Sequence, residues 1–316
     1  MKSSPSSRSR FAGALLAASL IATAALPAFA GPSAKEKLEK SVLTPEPEPS
    51  RVHVLLNLDV SDSYITPRGL NVENQGVVFQ PLLLIFWNLY SNPEGFINDV
   101  TLTTGVWNSI HTRESGVDPS HWNEIDPIGG LTVKFAKALS LDVFWSAFQS
   151  QTDSYETSNN LSVKLTYNDA FFQRFSFNPY IEYWHEISDK ATVVFNPATS
   201  EESYYFSIGI NPTYKFASVP ITVSLPTFVN ICGDDFYQRF DGTPGGSGLA
   251  VFSTQFKIST PLSFIPKSYG SWTAYASVQY YHLSNDGVLD GNQVLGADAE
   301  REEDLIQFHG GISVFF

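Results

Sequence analysis

Asp304-Leu305-Ile306-Gln307-Phe308-His309-Gly310-Gly311-Ile312-Ser313-Val314-Phe315-Phe316 is the stretch on which the reading of the whole chain turns. Ile306, Phe308, Gly310, Ile312, Val314 and Phe316 fall on one face. Gln307, His309, Gly311 and Ser313 fall on the other, with Leu305 and Phe315 as the two exceptions. A repeat of two residues separates the faces of a strand, not of a helix. The stretch is therefore a strand with one apolar and one polar side.

The same alternation starts at Arg51 and runs through the chain. Val52, Val54, Leu56, Leu58 and Val60 oppose His53, Asn57, Asp59 and Ser61. Phe79 to Leu89 carries apolar residues on both parities, because Leu82, Leu84 and Phe86 join Leu83, Ile85 and Trp87. Further alternating runs centre on Val100–Val106, Ile125–Phe135, Leu139–Trp145, Leu161–Tyr167, Phe175–Tyr183, Tyr204–Phe216, Val219–Leu225, Ala250–Ile258 and Trp272–Tyr280. With the last strand these make about twelve.

The links between them are sorted. Those at 91–98, 136–138, 168–173 and 217–218 are short or modest, and 261–270 is intermediate. Those at 111–123, 149–160, 187–203, 233–248 and 284–303 are longer and polar. Long and short links in strict turn are what a transmembrane barrel has at its two ends. Residues 51–316 allot roughly 22 residues to each strand and its link, enough for tilted spanning strands. The expected fold is all-β: a transmembrane antiparallel up-and-down β-barrel of about 12 strands.

The polar parity carries Asp59, Glu124, Asp126, Lys134, Asp142, Lys164, Arg174, Glu182, Glu186, Lys215 and Lys257. A dry core would charge several kcal/mol for each unpaired member. A wet lumen removes most of that cost, so these residues are expected to line a narrow, polar pore of mixed sign. Trp87, Trp145, Trp272 and Tyr280 lie on the apolar parity, as interfacial girdle residues do.

The terminal strand resembles the C-terminal targeting strand of bacterial outer-membrane barrels, through Phe308, Ile312, Val314 and Phe316. The resemblance implies recognition by the barrel-assembly machinery and a setting in outer-membrane lipid and lipopolysaccharide. Residues 1–30 fit a secretory signal: Lys2, Arg8 and Arg10, an apolar run from Phe11 to Leu26, and Ala28-Phe29-Ala30 before the cut. Residues 31–50, with Thr44-Pro45-Glu46-Pro47-Glu48-Pro49, read as a disordered periplasmic linker. Together these place the chain in the cell outer membrane. The formal charge of −13 becomes −16 once the three leader cations are removed, which argues against nucleic acid as a partner. Acidic loop clusters at Glu201-Glu202, Asp234-Asp235 and Glu300 to Asp304 are placed to meet lipopolysaccharide through divalent cations, or simply to be solvated.

No metal-ligand cluster, phosphate loop or nucleophile elbow is present in the sequence, and no cofactor is expected. Tyr280-Tyr281-His282-Leu283-Ser284-Asn285-Asp286 contains His-x-Ser-Asn. This resembles the local motif of outer-membrane phospholipase A and of lipid A deacylases. The resemblance implies His282 as base and Ser284 as nucleophile on the lipid-facing wall. Asp304, on the neighbouring strand, is the candidate third member by position alone. The family's Gly after Asn is Asp286 here.

Leu58-Asp59-Val60-Ser61-Asp62-Ser63-Tyr64, Arg68-Gly69-Leu70, Gly76 and Gln80-Pro81 resemble the opening of the TorF-type porins. That resemblance implies a barrel of porin type and no particular solute. The expected function is passive diffusion of ions or small solutes through a narrow lumen. The alternatives are a lipid-acyl hydrolase using His282 and Ser284, and a non-conducting structural or adhesive barrel.

Overall fold

The computed structural model describes residues 50–169, 174–295 and 301–316. The expected leader over 1–30 and nearly all of the linker over 31–50 lie outside the described residues. The rest is a closed barrel of 12 antiparallel strands. In chain order these are β1 (Val52–Ser61), β2 (Val78–Phe79 and Leu82–Ser91), β3 (Ile97–Ser115), β4 (Ser120–Phe135), β5 (Leu139–Ser150) and β6 (Ser158–Tyr167). Then follow β7 (Phe175–Ser176 and Tyr180–Ser188), β8 (Tyr204–Ile210 and Thr213–Lys215), β9 (Thr222–Ser224 and Thr227–Cys232), β10 (Gly248–Pro261), β11 (Ser271–Leu283) and β12 (Asp304–Phe315). Each strand pairs with its sequence neighbours, and β1 pairs with β12 from Leu55↔Phe315 to Ser61↔His309, which closes the ring. Closure leaves no unpaired edge in the wall.

The two-piece strands are interrupted at prolines. Pro81, Pro179, Pro212 and Pro226 bring no N–H to the ladder. Their carbonyls still accept, from the N–H groups of Asn108 (3.0 Å), Tyr167 (2.9 Å), Leu225 (2.8 Å) and Gln255 (2.8 Å). The strands therefore bend at these points without separating.

Polarity is inverted relative to a water-soluble protein. Along Tyr204–Ile210 exposed and buried residues alternate without a break. Leu58 is 47 % exposed while its neighbour Asp59 is 3 % exposed. Leu83, Leu102, Leu131, Val143, Leu165, Ile181, Phe206, Phe256 and Phe308 complete an apolar belt around the outside. Water would not solvate such a belt without cost, whereas hydrocarbon accepts it. The barrel is a transmembrane one. Trp87 and Trp272 face out toward the end with the short turns, and Trp145 and Tyr280 face out farther from it.

Not every link is a plain loop. The stretch 111–123, read as a long polar loop, is mostly strand: β3 and β4 continue to Ser115 and from Ser120. Alternation persists here, with Ser109 and His111 buried, and register slips near Ile110 absorb the twist. Gly116, at φ +97°, makes the reversal that ends the hairpin.

Candidate functional site

The link between β1 and β2 does not loop away from the barrel. It turns inward and forms a small hairpin, Tyr64–Ile65 against Asn71–Glu73, that crosses the lumen. Its contacts reach most of the wall. The Tyr64 hydroxyl donates to Glu124 of β4 at 2.9 Å. The Arg68 guanidinium lies over Phe148 of β5 at 4.5 Å and Trp184 of β7 at 5.3 Å. Asn230 of β9 donates to the Pro67 carbonyl at 2.8 Å, and Gln307 of β12 to the Ser63 carbonyl at 2.7 Å. A Cβ on Gly69 would stand 2.6 Å from Leu283 of β11 and 3.0 Å from Val251 of β10. Gly69 also sits at φ +85°, so both backbone and packing call for glycine there.

Two further pieces hold this hairpin from the loop side. The helix α1 (Asp286–Leu295) follows β11 and is capped by Asn285, whose Oδ1 accepts from the N–H of Gly287 at 2.9 Å. Its Asn292 amide donates to the Gly69 carbonyl at 2.8 Å and accepts from the Asn71 N–H at 2.9 Å. From the link after β9, the Tyr237 hydroxyl donates to the Arg68 carbonyl at 2.5 Å. Ile65, Leu70, Phe236, Tyr237, Val288 and Leu289 form one buried apolar cluster with Phe148, Trp184, Tyr205, Leu283 and Leu305 of the wall. The loop end of the lumen is thus stoppered by an apolar plug.

Toward the turn end the interior is polar. Thr132, Asp142, Lys164, Glu182 and Ser207 stand in register across β4 to β8. Thr132 donates to Asp142 at 2.6 Å, Ser162 donates to Glu182 at 2.6 Å, and Lys164 lies 3.9 Å from Glu182 and 3.8 Å from the centre of the Tyr180 ring. Across the lumen, the Lys257 ammonium lies 4.1 Å from the centre of the Tyr275 ring, whose hydroxyl donates to Asn57 at 3.0 Å.

The charged residues expected to line the lumen divide by position. Asp59, Glu124, Asp126 and Glu186 are buried inside the barrel, and Lys134, Asp142, Lys164, Glu182 and Lys257 are half-buried on the same inner parity. Arg174 and Lys215 are exposed side by side at the turn-end rim, where the Lys215 N–H donates to the Arg174 carbonyl. On the terminal strand Phe308, Ile312 and Phe316 are exposed, but Val314 is 2 % exposed, flanked in register by Leu56 and Trp272.

Where the plug meets the wall, charges gather. Arg68, Glu124 and Asp126 are buried beside Tyr64 and Tyr155. Burial, then the Glu124 and Asp126 carboxylates, push the Tyr64 phenol well up, with Arg68 pulling the other way. Burial and the same two carboxylates raise Tyr155. Burial alone would lower the Arg68 guanidinium, but Tyr64, Tyr205, Glu124 and Glu186 around it more than offset that and hold it charged. Glu186 is separately satisfied, accepting from Thr192 at 2.8 Å and from the Ser203 N–H at 3.0 Å.

On the outer wall, His282 Nδ1 lies 2.9 Å from Asp304, which also accepts from the Tyr280 hydroxyl at 2.6 Å. The Ser284 hydroxyl donates instead to the Leu249 carbonyl at 2.9 Å. A serine nucleophile needs its proton directed at a base, and here it is directed at the backbone. Among the described residues no group of three or more His, Cys, Asp or Glu side chains is placed to hold a metal ion.

The plug is not among the features expected from sequence. Its signal was present in the Tyr64-Ile65-Thr66-Pro67-Arg68-Gly69-Leu70 run, apolar and turn-forming at once, within a link too long for a turn.

No family model matches the chain. No curated protein matches it either. Among solved structures, one titled "NanC porin structure in rhombohedral crystal form" is similar over 83 % of this chain and 98 % of that one, with TM-score 0.44 and 12 % identity. Another, titled "Bacterial polysaccharide outer membrane secretin", is similar over 84 % of this chain and 97 % of that one, with TM-score 0.45 and 8 % identity. At these scores neither likeness bears on what this chain does.

Proposed function

We propose that the chain is an outer-membrane channel of narrow bore, passing ions or small polar solutes, and that its inward hairpin keeps the loop end shut at rest. The observation that carries this reading is the joint one of a polar lumen of mixed sign and a plug that is a link, not part of the strand ladder, and meets the wall by apolar packing and a few hydrogen bonds. Residues Asp59 to Gln80, which carry the resemblance to TorF-type porins, include the whole plug, and this supports a porin-type reading. Outer-membrane lipid and lipopolysaccharide are the surroundings of the belt, and the alternation at Phe308 and Ile312 is the feature for the barrel-assembly machinery to read. Flux through proteoliposomes tests the channel. Small-solute entry is expected to be slow with the intact protein and faster when Tyr237→Phe and Asn292→Ala loosen the plug. No entry with either protein, after insertion is verified, overturns the reading.

A second reading rests on the His282–Asp304 contact. It makes the outer wall a site of lipid-ester hydrolysis, and it requires Ser284 to leave the Leu249 carbonyl and turn to His282. Loss of lipid-ester turnover in Ser284→Ala supports it, and absence of turnover in the native protein removes it.

A further inference from the structure

We propose that the lumen face of the plug, between the Arg68 guanidinium and the Glu124–Asp126 carboxylates, is a binding site for a small zwitterion carrying one ammonium and one carboxylate a few bonds apart. The site deepens the channel reading and rests on it for a route in from the turn end.

Three observations lead there. Arg68 is 6 % exposed, Glu124 4 % and Asp126 6 %, so charges of both signs are withdrawn from water. Among the described residues Arg68 forms no ion pair, although it lies over Phe148, which the β4–β5 register sets beside Asp126, and the neighbouring Tyr64 hydroxyl donates to Glu124. Buried charges of opposite sign that do not touch are costly, and a dipolar ligand spanning them satisfies both at once.

Next, the unpartnered atoms of the site are of both kinds. Arg68 Nη1 is a donor without a partner and Asp126 Oδ1 an acceptor without one, while the Tyr155 hydroxyl stands beside Glu124. Gln80, 1 % exposed, has both its amide oxygen and its amide nitrogen unpartnered, and it adjoins Glu124 along the wall through Ser109. An inorganic anion would use only the donors and a bare cation only the acceptors. A zwitterion uses both sets.

Finally, the guanidinium is fixed in a way that favours a carboxylate. Phe148 and Trp184, themselves stacked 6.1 Å apart, both pack against it at 4.5 and 5.3 Å, and its unpartnered Nη1 leaves N–H donors that match a carboxylate. The ammonium of the same ligand then reaches the Glu124–Asp126 pair.

The test is equilibrium binding to the full-length barrel in detergent, read by tryptophan fluorescence and by titration calorimetry. Trp184 lies under the guanidinium and Trp107 lies 5.5 Å from the Tyr64 ring, so both report on the site. The probes are glycine, acetate, methylammonium and glucose. Glycine is expected to bind saturably. Acetate and methylammonium, each lacking one charged hydrogen-bonding group, are expected to bind at least about tenfold more weakly. Arg68→Gln and Glu124→Gln should each weaken glycine by at least about tenfold. Tyr155→Phe, which removes only a hydroxyl and should fold as the native chain does, should weaken it by about three- to tenfold. Binding of glucose in place of glycine, acetate as tight as glycine, or no saturable signal with any probe overturns the proposal. Solute flux measured after the same protein is reconstituted into liposomes reports separately on the channel, so failure of the site and failure of the channel remain distinct.

Discussion

The hydroxyl of Tyr237, in the link between β9 and β10, donates to the carbonyl of Arg68, in the link between β1 and β2, at 2.5 Å. These residues are far apart in sequence, and their bond ties the plug to the loops that cover it. Asn292 of α1 makes the second tie, to Gly69 and Asn71. Tyr237→Phe is expected to cost about 1 kcal/mol of docking, and Asn292→Ala about 2 kcal/mol. Neither touches the strand ladder, so the barrel should persist. The expected outcome is a several-fold rise in the fraction of time a single channel spends open, read from bilayer recordings.

Gly69 offers a test of the plug's placement. Adding one methyl group forces a left-handed backbone on alanine and drives a Cβ to 2.6 Å from Leu283. The backbone term alone is about 1–2 kcal/mol. Gly69→Ala should therefore release the hairpin. Arg68, buried in the native chain, should become a trypsin site, and the appearance of cleavage after it is the readout.

Trp184 stands where plug, wall and guanidinium meet, stacked on Tyr205 at 5.2 Å and Phe148 at 6.1 Å. Trp184→Ala removes a large buried side chain and one of the two rings packed against Arg68. A loss of about 3–5 kcal/mol is expected, visible as a lower temperature for the gel-mobility shift from folded to unfolded barrel.

Lys164 stands in register between Asp142 and Glu182. Neutralising it in Lys164→Gln leaves the two acids as the sign of that wall. The cation-to-anion permeability ratio should rise by about twofold, measured as a shift in reversal potential across a salt gradient. An unchanged ratio would mean that ions do not pass this row.

His282→Ala is expected to leave conductance unchanged, because the side chain faces outward and its pair with Asp304 is exposed and screened by solvent. The same variant assayed for lipid-ester hydrolysis separates the channel from the enzyme reading.

The barrel wall was legible because strand periodicity is a local property. Asp59 and Leu58 can be assigned to opposite faces from sequence alone, and the structure places them so. The exceptions to alternation were legible only as exceptions. Leu305, on the polar parity, packs into the plug cluster at the loop end. Phe315 stacks on His53 at 5.3 Å near the turn end. Both are apolar residues inside a polar lumen, and each has its partner in a distant part of the chain, which no local pattern records. The extension of β3 and β4 through 111–123 was hidden for a related reason: polar residues on both faces look like a loop until the hairpin is seen paired. The plug was hidden most fully, because Arg68 reads as a loop cation until Phe148 and Trp184 are brought over it.

The most direct test of the closed lumen is single-channel conductance of the intact chain beside one in which Asp62 to Gly76 is replaced by a short Gly/Ser link. The link keeps strands β1 and β2 joined, and nothing in the strand ladder is removed. Small or infrequent steps are expected from the intact protein, and discrete, several-fold larger steps from the shortened one. Equal conductance from the two would contradict this, and would show that the inward hairpin does not close the path.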